Sequence, residues 1–251
     1  MKKKKEIEVC LCTRLFENYD CSGTVVVVAD ILRASTAICT AFKNGAESLI
    51  PLSTLEEAKQ YRDKGFLVAA EREGVKPGFA DFGNSPFNFI RENVEGKTIA
   101  YSTTNGTQAI NMAKKATKVV IGSFLNISAL SEWLTELNLP VTVLCSGRKG
   151  RFCLEDAVFA GALCSNLMRS GNFFSSCDSL FAVTELWELA KNDLPAYLDN
   201  AEQRHRLREK GLDNIFEYTC TPDSTSVIPV LVNSQIFDIY SNVNEHFSEE
   251  T

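Results

Sequence analysis

Between residues 24 and 170, short β-branched runs alternate with polar loops and stretches of helical periodicity. This is the signature of strands alternating with helices in an α/β sheet. The pattern predicts strands at 24–30, 48–52, 66–70, 98–102, 118–122 and 141–145, and helices at 35–44, 54–64, 105–115, 127–137 and 154–170. Thr54 with Glu56 and Glu57, and Ser128 and Ser131 with Glu132, set a hydroxyl and a carboxylate at two helix starts, as end-capping asks. The rhythm breaks at 71–86, and an aperiodic loop of about 15 residues inside a compact domain is more often functional than idle. Further on, the pattern predicts a helix at 180–191, a charged helical stretch at 200–210 and an edge strand at 226–232. The expected fold is α/β, with a mostly parallel sheet in a single unit over 1–251. The loops after Ala29, Tyr101 and Cys145 share a plan, which hints at similar halves, 1–122 and 123–251.

Composition narrows the class. The chain has 251 residues, 45% hydrophobic and 23% charged, enough apolar material for a large core. No apolar run approaches the roughly 20 residues of a membrane span, so no membrane partner is expected. Four lysines follow Met1, but Glu6 and Glu8 interrupt what comes next. That is not a signal peptide, and a cytoplasmic location is the expectation. Nine cysteines without metal-finger spacing read as reduced, mostly buried thiols. A net charge of −6 argues against a nucleic-acid surface while leaving room for a local cationic pocket.

Ligands in open α/β sheets sit outside the carboxyl ends of the strands, and polar residues gather there three times. Asp30, Arg33, Ser35 and Thr36 follow the first strand. An arginine fork and helix-start amides suit phosphate or sulfonate oxygens, and a carboxylate suits Mg²⁺; a capped helix accounts for Ser35 and Thr36 equally well. Thr103, Thr104, Asn105, Gly106 and Thr107 offer hydroxyls and close-approaching amides to an anion, or ordinary turn chemistry. Ser146, Gly147 and Arg148 follow Cys145 and lead to Glu155 and Asp156, a polar pair opening an otherwise apolar helix that wants a metal or a cation as partner. The long loop adds Glu71, Arg72, Glu73, Lys76, Asn84 and Ser85. Together these read as one pocket for a small, multiply charged phosphoester held with a divalent cation.

The only histidines, His205 and His246, stand far from these motifs in the sequence, which leaves a Ser-His-Asp triad or a histidine phosphatase without support. Two phosphatase chemistries remain. In the first, Mg²⁺ on carboxylates such as Asp30, Glu71 and Asp156 neutralises phosphate charge and orients a water or carboxylate nucleophile, with Arg33 and Arg148 on the equatorial oxygens. Aspartyl-phosphate enzymes usually carry a second Asp two places on, where this chain has Leu32. In the second, Cys145 and Arg151 match a Cys-x5-Arg thiolate loop, although Leu144 and Phe152 stand where that class has a histidine and a hydroxyl. A non-catalytic anion-binding protein is a third reading.

The motif string Ala29-Asp30-Ile31-Leu32-Arg33-Ala34-Ser35-Thr36, Glu71-Arg72, Gly78-Phe79, Gly83-Asn84-Ser85-Pro86, Thr103-Thr104-Asn105-Gly106-Thr107 and Cys145-Ser146-Gly147-Arg148 with Glu155-Asp156 resembles the 2-phosphosulfolactate phosphatase family, in order and spacing, over residues 8–240. The resemblance implies a three-layer α/β/α architecture. It also implies Mg²⁺-dependent hydrolysis of 2-phospho-3-sulfolactate to 3-sulfolactate and phosphate, a step toward coenzyme M, by a homodimer. With it, Asp30, Arg33, Arg148 and Asp156 are assigned as catalytic residues and Asp30, Glu71, Glu155 and Asp156 as metal ligands. Ser35, Thr36, Arg72, Lys76, Asn84, Ser85, Thr103, Thr104, Asn105, Gly106, Thr107, Ser146 and Gly147 are assigned to substrate binding.

Overall fold

The structure, a computed structural model, describes residues 3–241; His246 lies outside them. The strands in chain order are β1 (Lys5–Cys10), β2 (Val25–Ala29), β3 (Ser48–Leu52), β4 (Leu67–Ala70), β5 (Thr98–Ser102), β6 (Lys118–Gly122), β7 (Val141–Cys145), β8 (Phe173–Phe174), β9 (Pro229–Val232) and β10 (Gln235–Asp238). The helices are α1 (Ala34–Lys43), α2 (Leu55–Asp63), α3 (Arg91–Val94), α4 (Gly106–Met112), α5 (Ile127–Leu137), α6 (Leu154–Arg169), α7 (Asp178–Ala190), α8 (Leu194–Leu198), α9 (Glu202–Glu209) and α10 (Phe216–Thr219).

All ten strands form one sheet in the order β4-β5-β3-β10-β9-β6-β2-β7-β1-β8. It has two parallel wings, β4-β5-β3 and β6-β2-β7-β1-β8. The antiparallel hairpin β9-β10 joins them through single residue pairs, Ile236 with Leu49 and Val120 with Val230. The mostly parallel α/β/α expectation therefore holds, with one correction: the strand expected at the edge near 226–232 lies in the middle. A short run that contains a proline, as this one does at Pro229, would ordinarily lie at an edge. β1 was missed as well, although Ile7 and Val9 are buried and alternate with Glu6 and Glu8, the period-2 pattern of a half-buried strand.

Three apolar clusters fill the layers. Val25, Val27, Val141 and Val143 meet α5, α6 and α7 on one face of the larger wing. On its other face Val26 and Val28 join Ala37, Ile38 and Ala41 of α1, Ile110 of α4, and Leu49, Ile99 and Tyr101 of the smaller wing. That helix, α1, is buried from Ala34 to Phe42, so both wings contribute to one interior. A smaller cluster seats α2 on β3, β4 and β5. Thr54 caps α2 in a full capping box with Glu57. The second expected cap is different: Ser123 and Asn126 cap the turn before α5, while Ser128 Oγ donates to Asp223 Oδ2 at 2.8 Å. Among the described residues no helix is long and apolar enough to cross a membrane.

Candidate functional site

A cleft opens where β2, β4, β5 and β7 end. Asp30, Arg33, Glu71, Asn84, Thr104, Asn105 and Arg148 line it, as the sequence placed them; Leu32, Glu73, Gly74, Gln203, Arg206, Leu207 and Lys210 complete it. Asp30 and Arg148 come from the larger wing, Glu71, Thr104 and Asn105 from the smaller.

Asp30 leaves β2 and accepts a hydrogen bond from Ala34 N, at the start of α1, through Oδ1 (3.2 Å). Its other oxygen faces the opening of α4: a Cβ at Gly106 would lie 2.9 Å from Asp30 Oδ2 and 2.5 Å from the Ala34 Cβ. Only a glycine lets that turn close on the carboxylate. Burial is the main force lifting the Asp30 pKa, with the Glu71 carboxylate adding to it against the Ala34 bond, and the result is about 6. Glu71 is fixed at both oxygens. Thr104 N donates to Oε1 at 2.7 Å, and Gly74 N and Thr104 Oγ1 donate to Oε2 at 2.6 and 3.2 Å.

Arg33 is only 5% exposed, yet its guanidinium makes no ion pair and no hydrogen bond with any described residue. Burial lowers its pKa from the ordinary arginine value, while Glu71, Tyr101 and Asp30 offset part of that. A buried guanidinium facing a cleft with its fork free has the chemistry to hold an anion.

The remaining expected residues divide by what they touch. Ser35 Oγ accepts from Asp30 N (2.9 Å) and donates to Val28 O (3.3 Å), and Thr36 Oγ1 donates to Ile31 O (2.9 Å). Thr103 and Thr107 bind each other's amides at 3.1 Å. These four are buried and hold the loops in shape without lining the cleft. Arg72 is turned away, donating to Glu71 O, Ser53 O and Ser102 Oγ. Lys76 and Ser85 line an adjoining depression with Arg33 and Asn84. Asn84 Oδ1 accepts from the buried Tyr101 hydroxyl. Ser146 is buried with its hydroxyl unpaired, and Gly147, at φ +61, gives its amide to Asp156 Oδ2 (3.0 Å).

Glu155 and Asp156 do not line the cleft. Asp156 Oδ1 accepts from Ile31 N (2.9 Å) while Oδ2 takes Gly147 N, so this one carboxyl ties the loop after β2 to the loop after β7. Burial, reinforced by Glu155 and Asp30, raises its pKa well above the carboxylate range despite those two amide bonds. Glu155 faces a neighbouring depression beside Cys153 and Glu202, and burial pushes its pKa up to about 7. The four carboxylates expected around a metal are thus divided: Asp30 and Glu71 share the cleft, Asp156 positions loops and Glu155 stands apart. Among the described residues no three His, Cys, Asp or Glu side chains are arranged to hold a metal by themselves.

The geometry does not favour the thiolate reading. Cys145 is fully buried, paired in the sheet with Ala29 across β2, and burial with Asp156 nearby drives its pKa up, the reverse of what a nucleophilic thiol needs. Arg151 is exposed and pairs with Glu202 at 2.8 Å.

Sequence reasoning missed the wall supplied by α9. Gln203, Arg206, Leu207 and Lys210 fall at helical spacing on its cleft side, a pattern present in the charged stretch 200–210 but unplaceable without the fold. Gln203 Nε2 donates to Leu32 O at 3.0 Å, tying α9 to the Arg33 loop. Arg204, under Asp199 and stacked 3.7 Å from the Phe216 ring centroid, secures the helix from behind.

Comparison with known proteins identifies the family. A family profile for 2-phosphosulpholactate phosphatase matches residues 10–234. A probable 2-phosphosulfolactate phosphatase of Thermotoga maritima is 37% identical over 207 residues, covering 82% of this chain and 88% of that protein. One from Caldanaerobacter subterraneus is 36% identical over 212 residues, covering 83% and 88%. One from Clostridium perfringens is 30% identical over 244 residues, covering 95% and 98%. The chain belongs to the 2-phosphosulfolactate phosphatase family.

Proposed function

We propose that this protein is a Mg²⁺-dependent phosphatase that hydrolyses 2-phospho-3-sulfolactate to 3-sulfolactate and phosphate, a step toward coenzyme M. The observation that carries the reading is Arg33, a buried cation facing a cleft near Asp30 and Glu71 with no close ion pair among the described residues. The family and the names of the relatives supply the substrate class.

In this reading the phosphate lies against Arg33, with Arg148 at the rim, and the two guanidinium forks balance charge on the equatorial oxygens. Asp30 lies in the cleft beside Arg33, where its carboxylate can take a proton from water. It accepts a proton from the attacking water as the water oxygen bonds to phosphorus and the ester oxygen departs with the bond's electron pair. Leu32 at the second position leaves no carboxylic acid of the aspartyl-phosphate kind, which favours water over Asp30 as the nucleophile. Asp30 and Glu71 form an oxygen-only pair in one buried cleft, and this donor set fits Mg²⁺, which takes one or two protein carboxylates and completes its shell with waters and substrate phosphate. Bound there, the ion would supply charge neutralisation at the phosphate.

The test is phosphate release from phosphosulfolactate with Mg²⁺, with EDTA and after thiol alkylation. Release abolished by EDTA and untouched by alkylation is expected. Release that continues at full rate in EDTA refutes the metal assignment, and ligand binding without any release marks an anion-binding protein.

A further inference from the structure

Beyond Arg33, the cleft rim gathers four more cations, Arg148 and Lys149 from the loop after β7 and Arg206 and Lys210 from α9 and its end. All four meet one residue of the long loop, Glu73. Its carboxylate stands 2.8 Å from Lys149, 3.3 Å from Arg206 and 3.6 Å from Arg148, and its carbonyl accepts from Lys210 Nζ. Its amide donates to Thr104 Oγ1 (3.0 Å), and its φ of +53 is one that L side chains seldom adopt.

The balance of charge is uneven. Glu202 also pairs with Arg148, at 3.1 Å, but among the described residues the only anionic group near Lys149 and Arg206 is Glu73. The cationic surface is continuous with the phosphate arm, since a methyl at Gly74 would lie 3.5 Å from Lys210 Nζ and 3.8 Å from Arg33 Nη2. Glu73 is 46% exposed, and ion pairs of that exposure are weak and readily exchanged.

We infer that Lys149 and Arg206, beside the phosphate-side Arg148, form a second anion subsite, specific for a sulfonate on the substrate, and that the Glu73 carboxylate fills it in the free protein and yields it when substrate enters. The identity of that sulfonate rests on the phosphatase reading above. A sulfonate is fully ionised and offers three acceptor oxygens where a carboxylate offers two, so it satisfies more of the donors that Glu73 leaves partly used. Glu73 then serves as a selectivity filter: an ester carrying phosphate alone has nothing with which to displace it.

The experiment is calorimetric titration of wild type, Glu73→Gln and Arg206→Gln with 3-sulfolactate, which requires no turnover. Glu73→Gln is expected to bind about fivefold to tenfold more tightly, and Arg206→Gln about tenfold or more weakly. Glu73→Ser repeats the test with no amide in place of the carboxylate, and thermal unfolding verifies that each variant is folded. Binding by both Glu73 variants that is equal to or weaker than wild type, or unchanged binding by Arg206→Gln, overturns the inference. Absence of sulfolactate binding in wild type and all variants overturns it too. The phosphatase reading fails separately, if wild type releases no phosphate from phosphosulfolactate whatever the titration shows.

Discussion

Replacing Asp30 with asparagine should abolish turnover and make the protein more stable. In the unfolded chain this carboxyl ionises as pH passes 3.8; in the folded protein, buried with Glu71 nearby, it keeps its proton up to about 6. Through that window the native state binds more protons than the unfolded state, so rising pH removes stability, and the loss is complete above pH 6. The difference is about two pKa units, which at about 1.4 kcal/mol per unit sets an upper bound on the order of 3 kcal/mol. Asparagine is nearly isosteric and still accepts from Ala34 N, but its amide brings an additional N–H that must find a partner in the buried site, which trims the net gain to about 1–2 kcal/mol. For a chain of this size that raises the midpoint of thermal unfolding by roughly 2–8 °C. The assay is thermal unfolding of both proteins from pH 4 to 8 without metal, alongside phosphate release. The two curves should meet near pH 4 and part above pH 6, with the variant higher and inactive. A variant less stable than wild type at pH 7, or one turning over within tenfold of it, would refute the reasoning.

Three other substitutions probe the frame around Asp30. Gly106→Ala drives a methyl into the Ala34 side chain and Asp30 Oδ2; activity should be lost with a destabilisation of about 1–3 kcal/mol in urea titration. Cys145→Ala removes a buried sulfur that takes no part in the chemistry, so kcat should stay within about twofold while stability drops by about 1 kcal/mol. Loss of kcat with stability intact would return Cys145 to the mechanism. Glu71→Gln turns an amide donor toward the amides of Gly74 or Thr104, and hydrogen exchange at those two positions should quicken as the site loses about 1–3 kcal/mol. Unchanged exchange would show that the loop is held by something else.

The main strands and helices were legible because the apolar period is strong in β2, β3, β5, β6 and β7 and changes to helical spacing between them. β1 and β10 were hidden for different reasons. Lys5, Glu6 and Glu8 mask the alternation of Ile7 and Val9, and Gln235–Asp238 is only four residues long, too short for periodicity to register. At the site, Asp30, Arg33, Glu71 and Thr104 were readable because strand-end loops carry ligands. The hydroxyls of Ser35, Thr36, Thr103 and Thr107 stand beside the cleft without lining it: a hydroxyl that binds a ligand and one that closes a turn have the same sequence, and only the hydrogen-bond partner separates them. The place of Asp156 was hidden for a related reason, since its two amide bonds join loops 125 and 9 residues away in sequence. The α9 wall depends on where a helix far along the chain docks, which no local pattern encodes.

The hairpin of β9 and β10 has a consequence for how the cleft comes into being. A ribosome makes residues 229–238 after every strand of both wings, and only then can the two wings be stitched into a single sheet. Before that moment no strand pairing links the wing of Asp30 and Arg148 with that of Glu71 and Thr104, and only the packing around α1 and α4 connects them. A chain stalled short of residue 229 would carry every residue of the cleft and still lack the strands that unite them, so activity becomes a sign that synthesis has passed its final strands. Closure of this kind joins partners distant in sequence and is a slow type of folding event. It spares the cell a half-made catalyst.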